Sequence, residues 1–577
     1  MVRTLNGKPG PSPNATEAST NGCWLHWGLV GCQASLYACV TWLSRRFDFT
    51  SDFQQRPILL VLLLLAIAFA LHLFSLRLAL RSAKQVAVSR TVLLGAVLFR
   101  VILLPSLPIQ EVDLYRYLWD GAVVADGGNP YRLSPQQVLA ASHEDNRPSH
   151  LNVLVDLRTR SPACEEALRR IHYGELITVY PPVSQAVFGL ASIVVPDHAS
   201  LYQRVLTMKV VLTLFDLITV WLLLAILRRV GRPTGWAMLY AWSPLVLKEF
   251  ANSGHLDSIA VCLTTGAVLC LLHGIGEIKT GSRDSWLALS SAVLGLGVGA
   301  KLYPVVLIPT LAFWVGRKIG WRSGVAYVFV ALLSSTASLA PMLWTKPVAI
   351  ELEQQAPTEN AAPAVNAAAG SGLATFLSRW EINDLLFLVI VENLRPDAVD
   401  APPHWFVITP DSLRRSTAEF LSSTLQRPLP EATFLAARVI TLLMFVTIMV
   451  GLLWRASCRN EDELWLRTVF LSIAWFWVLA PTLNPWYWTW AIPFLPFAGR
   501  RSWTAVSLLV LAYYLRFWLL YQFPDVELLG TSYRGEQFFH YVVAPLEHSL
   551  WLLWLLMESH VFRQVWPHSQ TAPMPSG

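Results

Sequence analysis

Two acidic residues, Glu111 and Asp113, closely follow an apolar run and are the first candidates for chemistry in this sequence. The run covers Val88 to Leu107, and a polar and aromatic segment from Ile109 to Leu133 comes after it. In extended backbone a spacing of two residues places both carboxylates on one face, whereas in a helix it separates them by about 200°. A carboxylate at a membrane interface can act as a general base toward a hydroxyl, which is typically worth about 10²- to 10⁴-fold in rate. We therefore predict Glu111 and Asp113 as catalytic residues, with a solvated interfacial acid as the plain alternative.

Arg116 and Asp120 follow Asp113 at positions i+3 and i+7, so a helix would place all three side chains on one face. Two interpretations stay open for Arg116. It either forms a structural ion pair with Asp113, or it contacts a phosphate or another part of a substrate. We predict Arg116 and Asp120 as substrate-binding residues.

A second group of candidates lies where the apolar run 234–250 ends. Lys248 and Glu249 are found there, and the sequence Ser253-Gly254-His255-Leu256-Asp257 follows them. Charged and imidazole groups at a helix break near membrane depth are costly, so they are functional candidates by default. We predict that Lys248, His255 and Asp257 bind substrate.

Three further charged residues lie in or between apolar runs. Lys209 and Asp216 are seven residues apart in the run 203–227, where a buried ion pair between helices is the structural alternative and is favoured for Asp216. Lys301 lies between the runs 285–300 and 302–316, at the tip of a predicted hairpin on the outer side. A phosphate leaving group needs a cation of this kind. Lys209 and Lys301 are predicted as substrate-binding residues.

Two aromatic motifs accompany these charges. Tyr180-Pro181-Pro182 fixes a rigid entry to a short apolar segment, and Tyr180 either lines a sugar site or anchors the chain at the interface. We predict Tyr180 as a substrate-binding residue. The sequence Asn484-Pro485-Trp486-Tyr487-Trp488 is more typical of an aromatic belt at the membrane surface than of a substrate platform.

A bound metal is not required by these residues. Five of them can in principle bind a divalent ion, although their spacing does not demand one: Glu111, Asp113, Asp120, His255 and Asp257. The seven cysteines form no CxxC pattern and no disulfide framework. The sequence therefore predicts no cofactor and leaves a divalent ion open.

The composition indicates a polytopic membrane protein. The 577 residues are 54% hydrophobic and only 14% charged, and the mean hydropathy is +0.45. Such a chain lacks the charged surface of a soluble globular protein. Apolar runs of about 15 to 22 residues match helices that cross roughly 30 Å of hydrocarbon, and the short alternation of barrel strands is not seen. The net charge is +6, and the basic residues lie in short loops, as the positive-inside rule expects. No nucleic-acid partner is therefore predicted.

The pattern predicts an all-α bundle of about 13 to 14 transmembrane helices with two large extracytoplasmic loops. Both loops are acidic: residues 108–179 carry seven Arg against ten Asp or Glu, and residues 346–432 carry six Lys or Arg against eleven. Basic short loops assign both termini to the cytoplasm. The Ala/Pro/Gln-rich stretch from Gln354 to Ala369 is predicted to be flexible.

The chain divides at the following predicted boundaries: a disordered N-terminus (1–23), N-terminal transmembrane helices (24–107), a first outer loop with the catalytic motif and a re-entrant helix (108–202), a transmembrane core (203–345), a second outer loop (346–432), C-terminal transmembrane helices (433–562) and a tail (563–577).

The order of these motifs resembles the GT-C glycosyltransferases. It is most similar to the polyprenyl-phosphate-mannose-dependent mannosyltransferases, which include the enzyme that adds the first mannose to glycosylphosphatidylinositol and bacterial relatives. The resemblance covers about residues 90 to 500 and rests on these segments: Glu111-Val112-Asp113, Gly128-Asn129-Pro130-Tyr131, Tyr180-Pro181-Pro182, Lys209, Asp216, Ser243-Pro244, Gly254-His255-Leu256-Asp257 and Gly297-Val298-Gly299-Ala300-Lys301-Leu302-Tyr303-Pro304. The chain departs from eukaryotic members at Glu111, where they tend to have Asp, and at His255, where they tend to have Asn. The acceptor can therefore differ from theirs.

The resemblance implies a GT-C-like bundle that transfers a hexose, most simply mannose, from a polyprenyl-phosphate donor to a hydroxyl of a lipid or glycan acceptor at the extracytoplasmic face. It also implies inversion at the anomeric carbon. Asp113 would take the acceptor proton, and Lys301, with Arg116 or Lys248, would stabilise the leaving phosphate. The protein would be a multi-pass integral membrane protein, located in the inner or plasma membrane if it is bacterial.

A secondary transporter of a polar or anionic solute is the main alternative, because transporters also contain broken helices and intramembrane charges. Transporters usually show paired half-repeats and compact loops. The two large acidic loops and the lack of a convincing internal repeat favour an enzyme. A non-catalytic assembly scaffold or flippase partner is a third interpretation.

Overall fold

The structure is a computed structural model that describes residues 13–141, 149–348, 372, 380–397 and 404–565. Within these ranges every regular element is a helix, and extended pairing is limited to two isolated bridges, Ile382 with Thr482 and Glu527 with Arg534. This confirms the predicted all-α polytopic membrane protein.

Seven helical segments in the described ranges are long and apolar enough to cross a membrane: Phe53–Arg81, Gln85–Leu103, Leu201–Arg229, Asp257–Ile275, Trp321–Trp344, Leu429–Arg459 and Ser502–Gln522. The remaining predicted spans do not belong to these seven segments. The count of 13 to 14 crossings and the predicted segment boundaries stay predictions.

The N-terminal part consists of α1 (Pro13–Ser44), α2 (Ile58–Arg81) and α3 (Gln85–Leu103). Of the predicted disordered N-terminus, residues 1–12 lie outside the described residues, and residues 13–23 belong to α1. Hydropathy missed this boundary because a proline at the first helical position can start a helix through polar sequence.

The first outer loop contains five helices: α4 (Asp113–Ala125), α5 (Pro135–Ala140), α6 (Ser149–Arg160), α7 (Pro162–Arg169) and α8 (Pro182–Ile193). Helix α4 begins with an acid, which the positive end of the helix dipole stabilises. Helix α8 has Pro182 at its first position and is only 12 residues long, as predicted for a segment too short to span. The two helices pack closely, because a Cβ at Gly121 would lie only 2.5 Å from the Phe188 carbonyl oxygen.

Helix α9 (Leu201–Arg229) forms the long central span and starts at a capping box in which Ser200 and Gln203 satisfy each other's backbone N–H groups. Its Asp216 is fully buried and forms a bidentate ion pair with Arg100 of α3, at 2.6 and 2.9 Å. The Tyr240 hydroxyl donates to the same carboxylate at 2.8 Å. The favoured interpretation of Asp216 as a structural ion pair is therefore confirmed.

The predicted continuous run 234–250 is broken into a 3₁₀ turn (Thr234–Ala237), α10 (Met238–Ala241), α11 (Pro244–Val246) and a π-helical turn (Leu247–Asn252). Pro244 at the start of α11 explains the first break, because proline cannot continue the preceding helical hydrogen bonds. The prediction of a single continuous helix here is therefore wrong. Helix α12 (Asp257–Ile275) then begins directly after Gly254 and His255.

The predicted hairpin is present as α13 (Thr280–Ala300), a 3₁₀ turn (Tyr303–Val306) and α14 (Leu307–Lys318), followed by α15 (Trp321–Trp344). Lys301 ends α13 in extended backbone, with φ of −153°. Lys301 therefore lies between two helices, as the hairpin pattern predicted, and its position on the outer side stays a prediction.

The C-terminal half contains these further elements: α16 (Leu386–Glu392), α17 (Asp411–Leu425), α18 (Leu429–Arg459), α19 (Asp462–Val478), α20 (Pro485–Trp488), a 3₁₀ turn (Ile492–Phe497), α21 (Ser502–Leu509), a 3₁₀ turn (Val510–Tyr514), α22 (Leu515–Gln522), α23 (Gly535–Phe538), a π-helical turn (Phe539–Val543) and α24 (Ala544–Val565). The stretch Gln354–Ala369, predicted to be flexible, lies outside the described residues. Helix α24 runs three residues past the boundary predicted at 562, so the predicted tail starts inside it.

Candidate active site

The segment that carries Glu111 is held in place by polar side chains from elements much later in the chain. The Lys209 ammonium donates to the Ser106 carbonyl oxygen at 2.7 Å and to the Leu103 carbonyl oxygen at 3.4 Å. Asn252 donates to the Ser106 hydroxyl at 2.8 Å and accepts from the Ile109 N–H at 3.2 Å. These contacts favour a positioning role for Lys209 over the predicted contact with substrate.

Asp113 lies at the first residue of α4 and is half-buried. Its carboxylate has no hydrogen-bond or ion-pair partner within the part of the chain that the structure describes. Burial, and next the charge of Asp113, raise the pKa of Tyr180. The Asp113 charge also acts on the hydroxyl of Tyr487. An unpartnered carboxylate among tyrosines can accept a proton from a bound hydroxyl.

A buried network of charges surrounds Glu111. The Tyr514 hydroxyl donates to Glu249 at 2.9 Å and lies 3.2 Å from Glu111. The His255 Nε2 atom is 3.4 Å from Glu249 and 3.8 Å from Glu111. Lys248 pairs with Glu249 at 3.3 Å and lies over the Tyr514 ring, 3.7 Å from its centre.

Ionisation in this network is shifted by burial. The side chain of Glu111 is only 8% exposed, and desolvation raises its pKa from 4.5 to about 7, against the opposing charges of His255 and Lys248. Burial disfavours the charged form of His255, but the neighbouring carboxylates of Glu249 and Glu111 outweigh it and raise the pKa of His255. The acids Glu111 and Glu249 and the bases Lys248 and His255 thus share a buried site with balanced charge.

A second pair of charges lies at the start of α12. Lys301 donates to Asp257 at 3.3 Å, and the indole N–H of Trp490 donates to the other carboxylate oxygen at 2.6 Å. The Lys301 ammonium is 4.9 Å from the centre of the Tyr487 ring. Its side chain is 16% exposed, whereas Asp257 is fully buried. Lys301 is therefore oriented by Asp257 while part of it stays accessible.

Stacked aromatic rings form the wall between these groups. Trp490 stacks on Tyr303 at 4.3 Å and on Tyr487 at 4.5 Å, and Trp486 stacks on His255 at 4.3 Å. Trp486 and Trp490 are buried, at 7% and 6% exposed. The interpretation of this motif as an aromatic belt at the membrane surface is thus wrong for these residues, because their rings face polar groups inside the protein.

Arg116 and Asp120 pair with each other rather than with Asp113. The Arg116 Nε donates to Asp120 at 3.0 Å, and both terminal nitrogens donate to the Leu176 carbonyl oxygen at 3.0 Å. Gln185 of α8 donates to Asp120 at 2.9 Å. The ion pair with Asp113 considered from the sequence is therefore not formed, and these contacts favour Arg116 as a support for α4.

Five of the ten predicted site residues form two contact groups: Glu111, Lys248 and His255 in one, and Asp257 and Lys301 beside Tyr487 in the other. The charge of Asp113 acts on Tyr180 and Tyr487 and raises their pKa, whereas Lys209, Arg116 and Asp120 contact protein groups.

Sequence reasoning missed the roles of Glu249, Tyr514 and the aromatic wall. Glu249 stands next to Lys248 at the same helix break, so the argument that selected Lys248 applies to it equally. Tyr514 lies in an apolar run two residues before Arg516, and the polar groups in that run were the available signal.

Three of these side chains can hold a metal ion. Ligand atoms of Glu111, Glu249 and His255 all lie within 4.8 Å of one another. Lys248 pairs with Glu249 and balances part of the charge of these acids.

Residues 169–317 match a family described as alpha-(1->6)-mannopyranosyltransferase, N-terminal domain. A segment of 111 residues is 30% identical to GPI mannosyltransferase 1 of the fungus Gibberella zeae and covers 18% of this chain. The matched segment spans 24% of that relative, under a quarter of its length. No solved structure matches. The two sequence matches support the resemblance to GT-C mannosyltransferases that the motifs predicted.

Proposed function

We propose that this protein is a membrane mannosyltransferase. It transfers mannose from a polyprenyl-phosphate-linked donor to a hydroxyl of a lipid or glycan acceptor, with inversion at the anomeric carbon. The mannose specificity is proposed because the matched family and the matched relative are both mannosyltransferases. The donor, the inversion and the face of the membrane rest on the site and on the resemblance of the motifs.

The observation that carries the proposal is that Asp113 and Lys301 both act on Tyr487. Asp113 has no partner among the described residues, and its charge contributes to the raised pKa of Tyr487. Lys301 is a partly exposed ammonium 4.9 Å from the centre of the same ring. A base and a phosphate-stabilising cation near one aromatic ring are the groups needed by a displacement at a glycosyl phosphate.

In the proposed reaction Asp113 accepts the proton of the acceptor hydroxyl as its oxygen attacks the anomeric carbon. The bond between that carbon and the phosphate oxygen breaks, and the phosphate leaves with the electron pair. Lys301 stabilises the negative charge on the departing phosphate, and Asp257 and Tyr487 orient the ammonium. One displacement without a covalent enzyme intermediate inverts the anomeric configuration.

The extracytoplasmic location is supported by the layout of α9. Lys209, which positions the outer segment, lies near the start of this 29-residue helix, and Arg228 and Arg229 lie at its end. At 1.5 Å per residue the helix is about 43 Å long, which is sufficient to cross a bilayer. Arg232 and Lys318 contact residues 462–463 at the basic end. The positive-inside rule assigns that end to the cytoplasm, and the site lies at the other end.

The test is transfer of radiolabelled mannose from polyprenyl-phosphate-mannose into membrane lipid or glycan, with purified protein in liposomes. Asp113→Asn is expected to lower transfer by about 10²- to 10⁴-fold because the base is lost. Asp126→Asn is the matched control, since Asp126 follows the last residue of the same helix and pairs with Arg160. Transfer close to wild type in Asp113→Asn would remove Asp113 as the base.

Uptake of a solute without chemical change would instead favour the transporter alternative. The same liposomes can be assayed for accumulation of labelled sugars and sugar phosphates. Transport in the absence of any transfer from the mannose donor would overturn the proposed function.

A further inference from the structure

A second cluster of titratable side chains lies apart from the candidate active site, where the second outer loop meets the C-terminal segment. Glu381, Asp384 and His540 each present a ligand atom, and these atoms lie within 4.8 Å of one another. Glu381 and Asp384 precede α16, whereas His540 belongs to the π-helical turn before α24. The cluster therefore joins two parts of the chain that are more than 150 residues apart.

Asp384 is the residue that requires an explanation. It is fully buried, and neither of its carboxylate oxygens has a hydrogen-bond partner among the residues that the structure describes. The backbone N–H groups of Asp384 and Leu388 lie near the carboxylate but form no well-made hydrogen bond to it. A buried carboxylate without a partner is strongly unfavourable, so such groups are normally paired or coordinate a metal.

The neighbouring charges do not compensate for Asp384. Glu381 and Glu392 share one cation, Arg395, at 3.3 and 2.9 Å. Glu381 keeps a second oxygen that is buried and unpartnered, 4.0 Å from the His540 Nε2 atom. Three carboxylates therefore face one guanidinium, in contrast to the balanced network around Glu111.

We propose that Glu381, Asp384 and His540 bind a divalent transition-metal ion such as Zn²⁺ or Mn²⁺. Two carboxylates and an imidazole form a mixed oxygen and nitrogen donor set that suits these ions. Ligand atoms around a tetrahedral ion lie about 3.4 Å apart, so the three side chains close by roughly 1 Å on binding. Glu381 and His540 are 11% and 22% exposed, which gives the ion a path from the outer surface.

The site has a structural consequence for the aromatic wall. Ile382, between two of the ligands, donates to the Pro481 carbonyl oxygen at 2.9 Å and accepts from the Leu483 N–H at 3.0 Å. The side-chain amide of Asn383 also donates to the Leu483 carbonyl oxygen, at 3.1 Å. Residue 483 is followed by α20, which carries Trp486, and by the turn after it, which carries Trp490. The ion therefore anchors the strand-like contact from which the aromatic wall extends.

The test is the metal content of the purified full-length protein in detergent, measured by mass spectrometry after dialysis against metal-free buffer. The wild type is expected to retain about one Zn²⁺ or Mn²⁺ per chain. Asp384→Asn and His540→Ala are expected to reduce this to background. Glu547→Gln is the matched control, because Glu547 is also buried with unpartnered oxygens but lies outside the cluster.

A second measurement uses the wild-type protein, so that the proposal can be tested even if the variants fail to fold. Wild-type protein is stripped with a chelator, and its thermal unfolding is followed as Zn²⁺ or Mn²⁺ is returned. Metal should raise the unfolding temperature of the wild type and of Glu547→Gln. The proposal is overturned if the wild type holds neither metal and is not stabilised by either ion, or if metal is lost in Glu111→Gln but kept in Asp384→Asn. None of these readouts depends on transferase activity.

Discussion

Lys301 and Asp257 meet across 3.3 Å at the boundary between the buried interior and the accessible part of the candidate site. Asp257 also accepts from the Trp490 indole at 2.6 Å, so both of its oxygens are used. The Lys301 ammonium has three protons and donates one of them to Asp257. Asp257 therefore orients the Lys301 ammonium, and the structure describes no second acid that pairs with it.

Replacing Lys301 by glutamine should reduce transfer by about 10²- to 10³-fold, because the leaving phosphate loses its cation. The effect should appear in kcat, since the charge on the phosphate oxygen develops in the transition state. Steady-state kinetics with labelled donor would measure it. Lys279→Gln, an exposed lysine before α13, is the control and should behave as wild type. A Lys301→Gln enzyme with unchanged kcat would exclude the proposed role.

The raised pKa of Glu111 predicts a pH-dependent stability. An acid with a pKa of 4.5 when unfolded and about 7 when folded binds more protons in the native state between those values. The free energy of unfolding should therefore fall as the pH rises from about 4.5 to about 7 and be unaffected by this group above that range. Thermal unfolding of detergent-solubilised protein at pH 5, 6, 7 and 8 would measure the slope.

Glu111→Gln should flatten this slope, because glutamine does not ionise. Glu277→Gln, at a half-buried acid in the loop after α12, should leave it unchanged. The same slope in Glu111→Gln and wild type would show that Glu111 does not titrate in this range.

A comparison of Gly254 with Gly231 tests how closely the segment around Glu111 packs. Its φ is +71°, and a Cβ there would lie 3.1 Å from both the Leu114 and the Lys209 side chains. Gly231 has φ of +69° with open space around it. Alanine at either position should lower the free energy of unfolding by about 1 to 2 kcal/mol, because a residue with a Cβ is strained in the left-handed conformation. Only Gly254→Ala should also reduce transfer, by at least about 10-fold, because it displaces His255 and Lys209. Equal activity in the two variants would contradict this.

The buried pair of Arg100 and Asp216 should behave as a structural unit. Asp216→Asn leaves a buried guanidinium without its charge partner and should cost about 3 to 5 kcal/mol. Adding Arg100→Met to an Asp216→Leu background should restore most of that stability, since no buried charge remains. A double-mutant cycle on thermal unfolding would give the coupling. Additive effects of the two single substitutions would show that the pair is not coupled.

The sequence was informative wherever a costly residue stood in an apolar run. Lys248, His255 and Asp257 were selected on that ground, and all three lie in the two charge clusters. The break at Lys301 was likewise visible from the hairpin pattern. Such signals are local, because a polar group at membrane depth is unfavourable whatever its partner.

Partner choice could not be predicted in the same way. Arg116 pairs with Asp120 although Asp113 stands at an equally suitable spacing, because the Leu176 carbonyl oxygen and Gln185 fix its direction. The contacts of Lys209 and Tyr514 join residues about 100 to 400 positions apart. Helical periodicity carries no information on contacts at that separation.

The polar contacts around Glu111 also set an order of assembly during synthesis. The outer segment emerges early, but the groups that hold it belong to Lys209, Asn252 and Tyr514. A nascent chain that ends before residue 252 has no asparagine to bind Ser106 and Ile109. The candidate active site is thus complete only after Tyr514 has been synthesised, and we expect a chain that ends before this residue to be inactive.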